Sequence, residues 1–374
     1  MKKSVMRIDF SKFSDDKICV HYVREMAELL KKAPGKSFTF MEVCGTHTMA
    51  AARCGLKSTL PKEVKLISGP GCPVCVTPNE YLDKAIVYAR MDDVIITTFG
   101  DMNRVPGTSS SLEREKTTGA DIRIVYSPQE TIKIARENPK KKIIFIGVGF
   151  ETTTPLAAST LLWAKKSSVF NWSIFSAHKL IPPAMKILSE SRDLKLDGFM
   201  CPGHVSTIIG SKPYEFIARD YKIPCVITGF EPVDIYEGVY LLLKQAIEKK
   251  PRVEIQYRRA VKPEGNPKAI SIMNKVFEPV ETNWRGIGKI PLSGLKIRED
   301  FHNFDTEKVI PVELPESIEP KGCRCGEILK GIIEPFDCKL FSKSCTPEHP
   351  VGACMVSSEG TCAAFYKYSD RMVK

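Results

Sequence analysis

The sequence predicts an α/β protein: two similar, Rossmann-like domains with parallel sheets that face each other across a cleft, followed by an irregular C-terminal domain. Short apolar runs rich in β-branched residues alternate with helical patterns, which is typical of parallel sheets buried on both faces. The pattern starts again near residue 140 and gives way after residue 250 to a proline-rich stretch and a cysteine-rich tail. A length of 374 residues also favours two or three domains.

Composition narrows the classes of protein to which the chain can belong. Its hydrophobic fraction of 43% and charged fraction of 26% are those of a soluble globular protein. No apolar run reaches the length of a membrane span, and the N-terminus lacks the apolar core of a signal peptide. We therefore expect a cytoplasmic protein without a membrane partner. The net charge of +11 comes from scattered Lys and Arg without interleaved aromatics, so we expect no nucleic-acid partner.

Thirteen cysteines are the most informative feature of the composition. In a reducing compartment they favour metal binding or redox chemistry over a framework of structural disulfides. Cys19, Cys54 and Cys225 have no partner in their local pattern, and we interpret them as core residues.

The first predicted element is an N-terminal helix within residues 1–36. Amphipathic spacing over residues 14–32 predicts this helix, with Ser14 as its N-cap and Gly35 just beyond its end. It precedes the first strand and has no sheet of its own, so we expect it to pack on another domain.

Residues 37–139 form the first predicted αβ domain. Four strand patterns, FTFMEV, VKLIS, DVIITTF and IRIVY, are each followed by a turn or a helical stretch. Residues 100–119 are rich in glycine, serine and charged residues and predict a long loop.

Two turns of this domain carry candidate functional residues. Cys44 follows the first strand, in CGTH, and Cys72 and Cys75 follow the second, in GPGCPVC. Carboxyl ends of parallel strands share one edge of a sheet, so the three thiols could share a pocket. A thiol at a helix start has a lowered pKa, thiolates bind soft metals, and C-x-x-C suits a reversible disulfide. His47 is a candidate ligand or proton carrier, and the alternative for each cysteine is a small core residue.

Residues 140–250 repeat the strand pattern, with KIIFIGV, WSIFSA, LDGFMC and PCVITGF, and form the second predicted αβ domain. The turn GVGFETTTP lacks the third glycine and the lysine of nucleotide-binding loops, so it predicts a helix start with Thr154 as N-cap. Glu151 in GFET and Glu231 in GFEP stand in equivalent positions. Such a pair of carboxylates could relay protons.

Three further residues of this domain follow predicted strands: His178, Cys201 and His204. Their position places them near the predicted cleft, and His204 is a candidate catalytic residue there. A structural role is the alternative for each of them.

Residues 251–374 are predicted to form an irregular connector and a cysteine-rich iron-sulfur domain. Six cysteines lie between residues 323 and 362, beginning with C-x-C, and their spacing is not that of a zinc finger. An iron-sulfur cubane needs four thiolates and accepts varied spacing, which leaves two thiols over. The sequence therefore predicts a 4Fe-4S cluster in this domain.

Several motifs resemble those of the HypD family, which acts in the maturation of NiFe hydrogenase. They are MEVCGTHT, GPGCPVC, GFETTTP, PGHVST and TGFEP, together with the cysteine-rich tail. The resemblance implies a scaffold for assembly of the Fe(CN)2CO group, in a complex with the small chaperone HypC and receiving cyanide through HypE. It also implies that Cys44, Cys72 and Cys75 bind the iron.

The tail is also similar to that of ferredoxin:thioredoxin reductase, in which a 4Fe-4S cluster lies beside a redox-active disulfide. The analogy implies cluster ligation by Cys323, Cys338, Cys345 and Cys362. It leaves Cys325 and Cys354 as the disulfide, and we expect this pair to pass electrons on to Cys72 and Cys75. The competing interpretation is that Cys72 and Cys75 only bind iron.

Two other functional classes remain open. A stand-alone iron-sulfur disulfide reductase would use the cluster and the C-x-x-C motif without needing Cys44 or HypC. A nucleotide-dependent enzyme would use the GVGFETTT turn. Whether the chain is itself an enzyme also stays open.

Overall fold

The computed structural model describes residues 15–191, 194–314 and 316–368. The strands are β1 Phe38–Glu42, β2 Val64–Ser68, β3 Val94–Thr98, β4 Ile122–Ile124, β5 Lys142–Gly149, β6 Trp172–His178, β7 Gly198–Cys201, β8 Cys225–Ile227, β9 Val253–Ile255, β10 Phe277–Trp284 and β11 Gly288–Ile297. The helices are α1 Asp16–Leu30, α2 Gly45–Arg53, α3 Leu56–Thr59, α4 Pro73–Val76, α5 Asn79–Ala89, α6 Gly100–Arg104, α7 Leu112–Thr117, α8 Glu130–Glu137, α9 Thr154–Lys166, α10 Ile181–Glu190, α11 Gly203–Ile209, α12 Glu215–Asp220, α13 Pro232–Glu248, α14 Pro267–Val276, α15 Thr306–Val309, α16 Cys325–Leu329 and α17 Thr361–Tyr368. Short 3-10 turns cover Lys212–Tyr214, Glu299–Phe304, Pro335–Asp337 and Ala353–Met355.

Two parallel sheets form the body of the protein, which confirms the predicted fold class. One sheet has the strand order β2-β1-β7-β8-β9 and the other β4-β3-β5-β6. The inner strands are largely buried, and every residue of β3, for example, is buried, whereas the edge strands β4 and β9 are more exposed. Strands covered on both faces by helices account for the continuous apolar runs in the sequence.

The predicted boundary at residues 139–140 does not separate the two sheets. Strands β1 and β2 lie in one sheet with strands from the second half, because β1 pairs with β7: Phe40 lies opposite Gly198 and Glu42 opposite Met200. Strands β3 and β4 instead join β5 and β6, with Ile96 opposite Ile144. The second half is therefore not a repeat of the first. Apolar runs predict strands but carry no information about which strand lies next to which, and parallel pairing is always non-local.

The N-terminal helix α1 packs on α13, which covers the β1-β7 sheet. Met26 and Leu29 are buried in one cluster with Leu242 and Leu243. The predicted cap Ser14 lies outside the described residues; Asp15 is the N-cap, and its carboxylate accepts the N–H of Lys17 at 2.8 Å.

Two segments predicted as irregular contain regular structure. Residues 100–119 include α6 and α7, and the connector includes α14 and the antiparallel hairpin β10-β11. The hairpin lies against β6, where Ser176 Oγ donates to the carbonyl of Leu295 at 3.1 Å. A shift of register between Val280 and Thr282 interrupts the hairpin. Its sequence therefore lacks the regular alternation of apolar and polar residues that predicts a strand.

Within the described part of the chain, no helix is both long and apolar enough to span a bilayer.

Candidate functional site

A cleft of about 470 Å³ opens between the two sheets, at the carboxyl ends of their strands. The β1-β7 sheet contributes the segments that follow β1, β2 and β7, and the other sheet contributes those that follow β3 and β5. The tail closes one side with residues 357–359. Both sheets direct their strand ends at this cleft, as expected of sites in parallel sheets. We call Cys44, Cys72 and Cys75, which lie at or beside this cleft, the cleft site.

Cys44 lies at the N-cap position of α2 and lines the cleft. Its thiol is buried, and burial together with the nearby carboxylate of Glu359 raises its pKa to about 12. Backbone N–H groups of His47 and Thr46 act in the opposite direction but do not prevail. The prediction that the helix start lowers the pKa of Cys44 is therefore wrong, because desolvation outweighs the effect of the helix terminus.

Cys72 and Cys75 form a disulfide across α4, with their Cα atoms 5.3 Å apart. The turn that carries them touches Cys44 directly: Gly45 N–H donates to the carbonyl of Gly71 at 3.0 Å. A Cβ atom on Gly71 would lie 2.2 Å from the nitrogen of Cys44, so only glycine fits there. The structure thus brings the three predicted cysteines together, with Cys44 as the free thiol facing the cavity.

His47 and His204 contact the same aromatic ring but lie in different places. His47 is buried, and its ring stacks on Phe230 with centroids 4.7 Å apart. Its Nε2 lies 3.0 Å from the carbonyl oxygen of Gly229 and 2.9 Å from Thr228 Oγ1, and burial lowers its pKa to about 4. His47 therefore ties α2 to the end of β8 as a neutral group. His204 stacks on Phe230 at 3.9 Å and lines the cleft.

Glu151 and Glu231 do not form the predicted pair. Glu151 is buried, accepts the N–H of Ile181 at 3.0 Å, and has a pKa raised to about 7 by burial. Its other oxygen has no partner among the described residues. Glu231 is the N-cap of α13 and forms a capping box with Asp234. The two motifs look alike because each precedes a helix, but Glu231 caps its own helix whereas Glu151 binds the first N–H of α10.

The predicted N-cap of α9 is displaced by one residue. Thr153 occupies the cap position, and Thr154 is the first helical residue. Thr152 and Thr153 line the cleft, whereas His178 is buried away from it, with Nδ1 3.0 Å from Ser176 Oγ. Cys201 is also buried, beside Cys225 in the adjacent strand, and this burial and contact raise the pKa of its thiol.

Glu359 is a cleft residue that the sequence reasoning missed. Its Oε1 accepts a hydrogen bond from Thr46 Oγ1 at 2.7 Å, and its backbone packs against Gly45 so closely that a Cβ there would meet its carbonyl oxygen at 2.4 Å. The carboxylate adds to burial in raising the pKa of Cys44, and it opposes the burial that lowers the pKa of His204. The sequence signal for this residue was its carboxylate in the motif SSEG, three residues before Cys362, the last predicted cluster cysteine.

The tail brings its six cysteines together in what we call the tail site. One small cavity is lined by five of them: Cys323, Cys325, Cys338, Cys345 and Cys362. Cys354 is fully buried and does not line this cavity, and its thiol hydrogen-bonds that of Cys325. Gly352 packs so close that a Cβ there would lie 2.5 Å from Cys323 Sγ.

The donor set of the tail site fits an iron-sulfur cubane. Such a cluster requires four thiols around one cavity, and five line this one: the four that the analogy assigned and Cys325. Cys325 hydrogen-bonds both Cys323 and Cys354. In the described ranges, no three His, Cys, Asp or Glu side chains are arranged to hold a single metal ion.

The two sites meet at α4. Cys75 Sγ lies 3.9 Å from the carbonyl oxygen of Ala353, the residue before Cys354. The Cys72–Cys75 disulfide is therefore packed against the segment that carries one of the two remaining tail thiols.

The chain is similar to a family of known proteins over nearly all of its length. The family described as HypD, "Hydrogenase formation hypA family", matches residues 17–369. The hydrogenase maturation factor HypD2 of Bradyrhizobium diazoefficiens is 46% identical over 343 residues, which cover 90% of each chain. A putative hydrogenase expression/formation protein of Methanocaldococcus jannaschii is 44% identical over 94% of this chain and 96% of its own. The hydrogenase maturation factor HypD of Escherichia coli is 43% identical over 93% of this chain and 94% of its own.

Proposed function

This chain belongs to the HypD family of hydrogenase formation proteins, and from that premise we propose that it is the scaffold on which the iron of NiFe hydrogenase acquires its cyanide and carbonyl ligands. The iron is the cargo, bound in the cleft by Cys44 and by Cys72 and Cys75 once their disulfide is reduced. The small chaperone HypC shares the cargo, and cyanide arrives through HypE.

The observation that carries this proposal is the cleft site itself. Cys44 lines a cavity of about 470 Å³, and the C-x-x-C turn is fixed against its backbone. Soft thiolates suit iron that carries π-acceptor ligands, and a cleft between two sheets leaves room for the small ligands and for a partner's side chain. His204 and Glu359 line the same cleft, which supports a role for them in exchanging protons or hydrogen bonds with the cargo.

The tail site supports a second part of the proposal. A 4Fe-4S cluster held by Cys323, Cys338, Cys345 and Cys362 would supply electrons one at a time. The Cys325 and Cys354 thiols then reduce the cleft disulfide: the Cys72–Cys75 bond breaks, a Cys325–Cys354 bond forms, and two electrons and two protons move with the exchange. The contact of Cys75 with Ala353 supports this route.

Infrared spectroscopy of the protein co-purified with HypC tests the scaffold. We expect cyanide and carbonyl stretches in the wild type and their loss in Cys44→Ala. The matched control is Cys225→Ala, which removes a buried thiol of the same sheet and should leave the bands unchanged. If the bands persist in Cys44→Ala, Cys44 is a packing residue and the proposal is wrong.

A stand-alone iron-sulfur disulfide reductase is the second candidate, favoured by the contact between the disulfide and the tail. It predicts that Cys44→Ala reduces the Cys72–Cys75 disulfide as fast as the wild type and that neither protein shows cyanide or carbonyl stretches. The infrared spectrum of the wild type therefore separates the two candidates.

A further inference from the structure

Arg285 is a buried cation that lies between the cleft site and the tail site. It follows Trp284 at the tip of the β10-β11 hairpin and is 4% exposed. Its backbone N–H donates to the carbonyl of Val76 at 2.9 Å, and its Nε donates to the carbonyl of Thr77 at 2.9 Å. These two carbonyls end α4, so the arginine is anchored directly beyond the C-x-x-C turn.

The same hairpin tip touches the tail site. Gly286, at a φ of +74°, packs so closely on Gly326 that a Cβ would lie 2.1 Å from the Cα of Gly326, the neighbour of Cys325. Hydrogen bonds among the thiols and burial dominate the pKa values of Cys323, Cys325 and Cys354. The charge of Arg285 acts on all three in the direction that favours the anion.

One end of the guanidinium has no partner. Nη1 donates to Glu319 at 2.6 Å, but Nη2 is buried and finds no acceptor in the parts of the chain described above. A buried charged donor without an acceptor costs stability, and native proteins rarely leave one. The neighbouring segment offers sulfur atoms as acceptors, and these become better acceptors as they gain negative charge.

We propose that Arg285 sets the reduction potential of the tail site. Adding an electron to a cluster leaves more negative charge on its sulfurs, and breaking a disulfide does so once one of the two thiols loses its proton. A buried guanidinium beside those sulfurs stabilises the reduced state through its charge and through hydrogen bonds from its free N–H groups. The inference rests on the redox role proposed above, and it makes Arg285 a positioning residue of that site.

The test is a redox titration of the purified holoprotein with sodium dithionite, which supplies single electrons and is oxidised to sulfite. The reduced cluster is followed by electron paramagnetic resonance. We expect Arg285→Gln to make the cluster at least tenfold harder to reduce, which corresponds to ~59 mV for one electron. Arg285→Lys keeps the charge but not the planar guanidinium, so its reduction potential should lie between that of the wild type and that of Arg285→Gln.

The matched control is Arg298→Gln, which removes an arginine at the other end of the same hairpin, where its partners are Glu278 and the carbonyl of Asn274. Its potential should equal that of the wild type. If Arg285→Gln keeps its cluster and its wild-type potential, the proposal is overturned and Arg285 only holds the fold together. If Arg285→Gln does not fold, Arg285→Met, which keeps the apolar stem and removes the charge, carries the same test.

A failure of the proposed function is distinguishable from a failure of this inference. If the wild type contains no cluster iron or sulfide, the cluster assignment is wrong. The inference is then tested on the Cys325–Cys354 pair with dithiothreitol, which gives up two electrons and two protons and closes its own disulfide. Above the pH at which the first thiol of the pair ionises, Arg285→Gln should shift that equilibrium at least tenfold toward the disulfide, and an equilibrium that stays unshifted across the pH range overturns the inference.

Discussion

The cleft site and the tail site both gather cysteines, but they are built in different ways. The cleft cysteines follow the paired strands β1 and β2: Val43 N–H donates to the carbonyl of Met200 at 3.1 Å, and Gly69 N–H to that of Glu42 at 2.8 Å. The tail cysteines lie on short helices and turns. In the described part of the tail, the one β-type pairing is an isolated bridge between Phe341 and Cys345.

The two sites are therefore held in place by different interactions. Backbone ladders fix the cleft cysteines whether or not anything is bound. The tail depends on side-chain packing, such as that of Phe336 against Phe341 and Phe365, and on whatever its thiols bind. Losing a ligand should therefore disorder the tail site and leave the cleft site intact, because metal binding and folding are coupled where few backbone contacts exist.

The largest expected effect is in Cys338→Ala. Removing one of four cluster thiols should abolish the brown absorbance and nearly all bound iron, while the Cys72–Cys75 disulfide remains detectable by mass spectrometry. Cys54→Ala, which changes a thiol outside both sites, is the control and should keep its iron. Full iron content in Cys338→Ala would contradict the assignment of the tail site.

A substitution of Gly71 should damage the cleft site and leave the tail site intact. The Cβ atom of Gly71→Ala would overlap the backbone of Cys44, and relieving such overpacking costs ~1–3 kcal/mol. We expect a lower unfolding temperature and loss of cargo iron, with the cluster absorbance retained. Gly100→Ala is the control, since Gly100 lines the same cleft but its Cβ would meet nothing closer than 4.0 Å. Equal stability of the two variants would show that the turns are not tightly joined.

A smaller effect is expected at Glu359, which belongs to the tail by sequence and to the cleft by position. Burial and then the Glu359 charge raise the pKa of Cys44, so Glu359→Gln should lower that pKa and displace the rate of Cys44 alkylation to lower pH. The rate at a fixed pH should rise severalfold, measured by peptide mass spectrometry. Glu359→Asp keeps the charge and should react like the wild type, and identical profiles for all three proteins would refute the coupling.

The smallest effect concerns Lys57, whose side chain joins α3 to the tail. Its Nζ lies 2.8 Å from Glu334 Oε1 and 4.4 Å from the centroid of the Phe365 ring. Partly exposed ion pairs contribute little, so Lys57→Met should lower the stability of the tail by ~1 kcal/mol or less. Urea unfolding followed through the cluster absorbance measures it. A loss several times larger would mean that the tail relies on this contact more than on its thiols.

Sequence reasoning reached the parts of both sites that are local in the chain. The turns at Cys44 and at Cys72–Cys75 and the cysteine-rich tail each carry a recognisable pattern within a few residues. Both sheets follow from apolar runs for the same reason. The predicted relay between Cys325, Cys354 and the cleft stays a prediction.

The parts that escaped prediction depend on contacts between distant residues. Thr46 and Glu359 are 313 positions apart in the sequence, and Arg285 and Thr77 are 208 apart. The prediction of the Cys44 pKa was wrong for the same reason. A helix start can be recognised from neighbouring residues, whereas burial depends on the whole fold. Strand order was not predicted either, since no apolar run specifies which strand lies next to it.

The interleaved strand order also decides when, during protein synthesis, the cleft can exist. Strand β1 has its neighbours in β2, made soon after it, and β7, which begins only at residue 198. Because the N-terminal part of a chain leaves the ribosome first, Cys44, Cys72 and Cys75 emerge long before their sheet can close. Glu359 and the tail cysteines follow last. The proposed binding of iron therefore becomes possible only after the tail has been made, and a chain truncated before residue 198 exposes the thiols without the cleft.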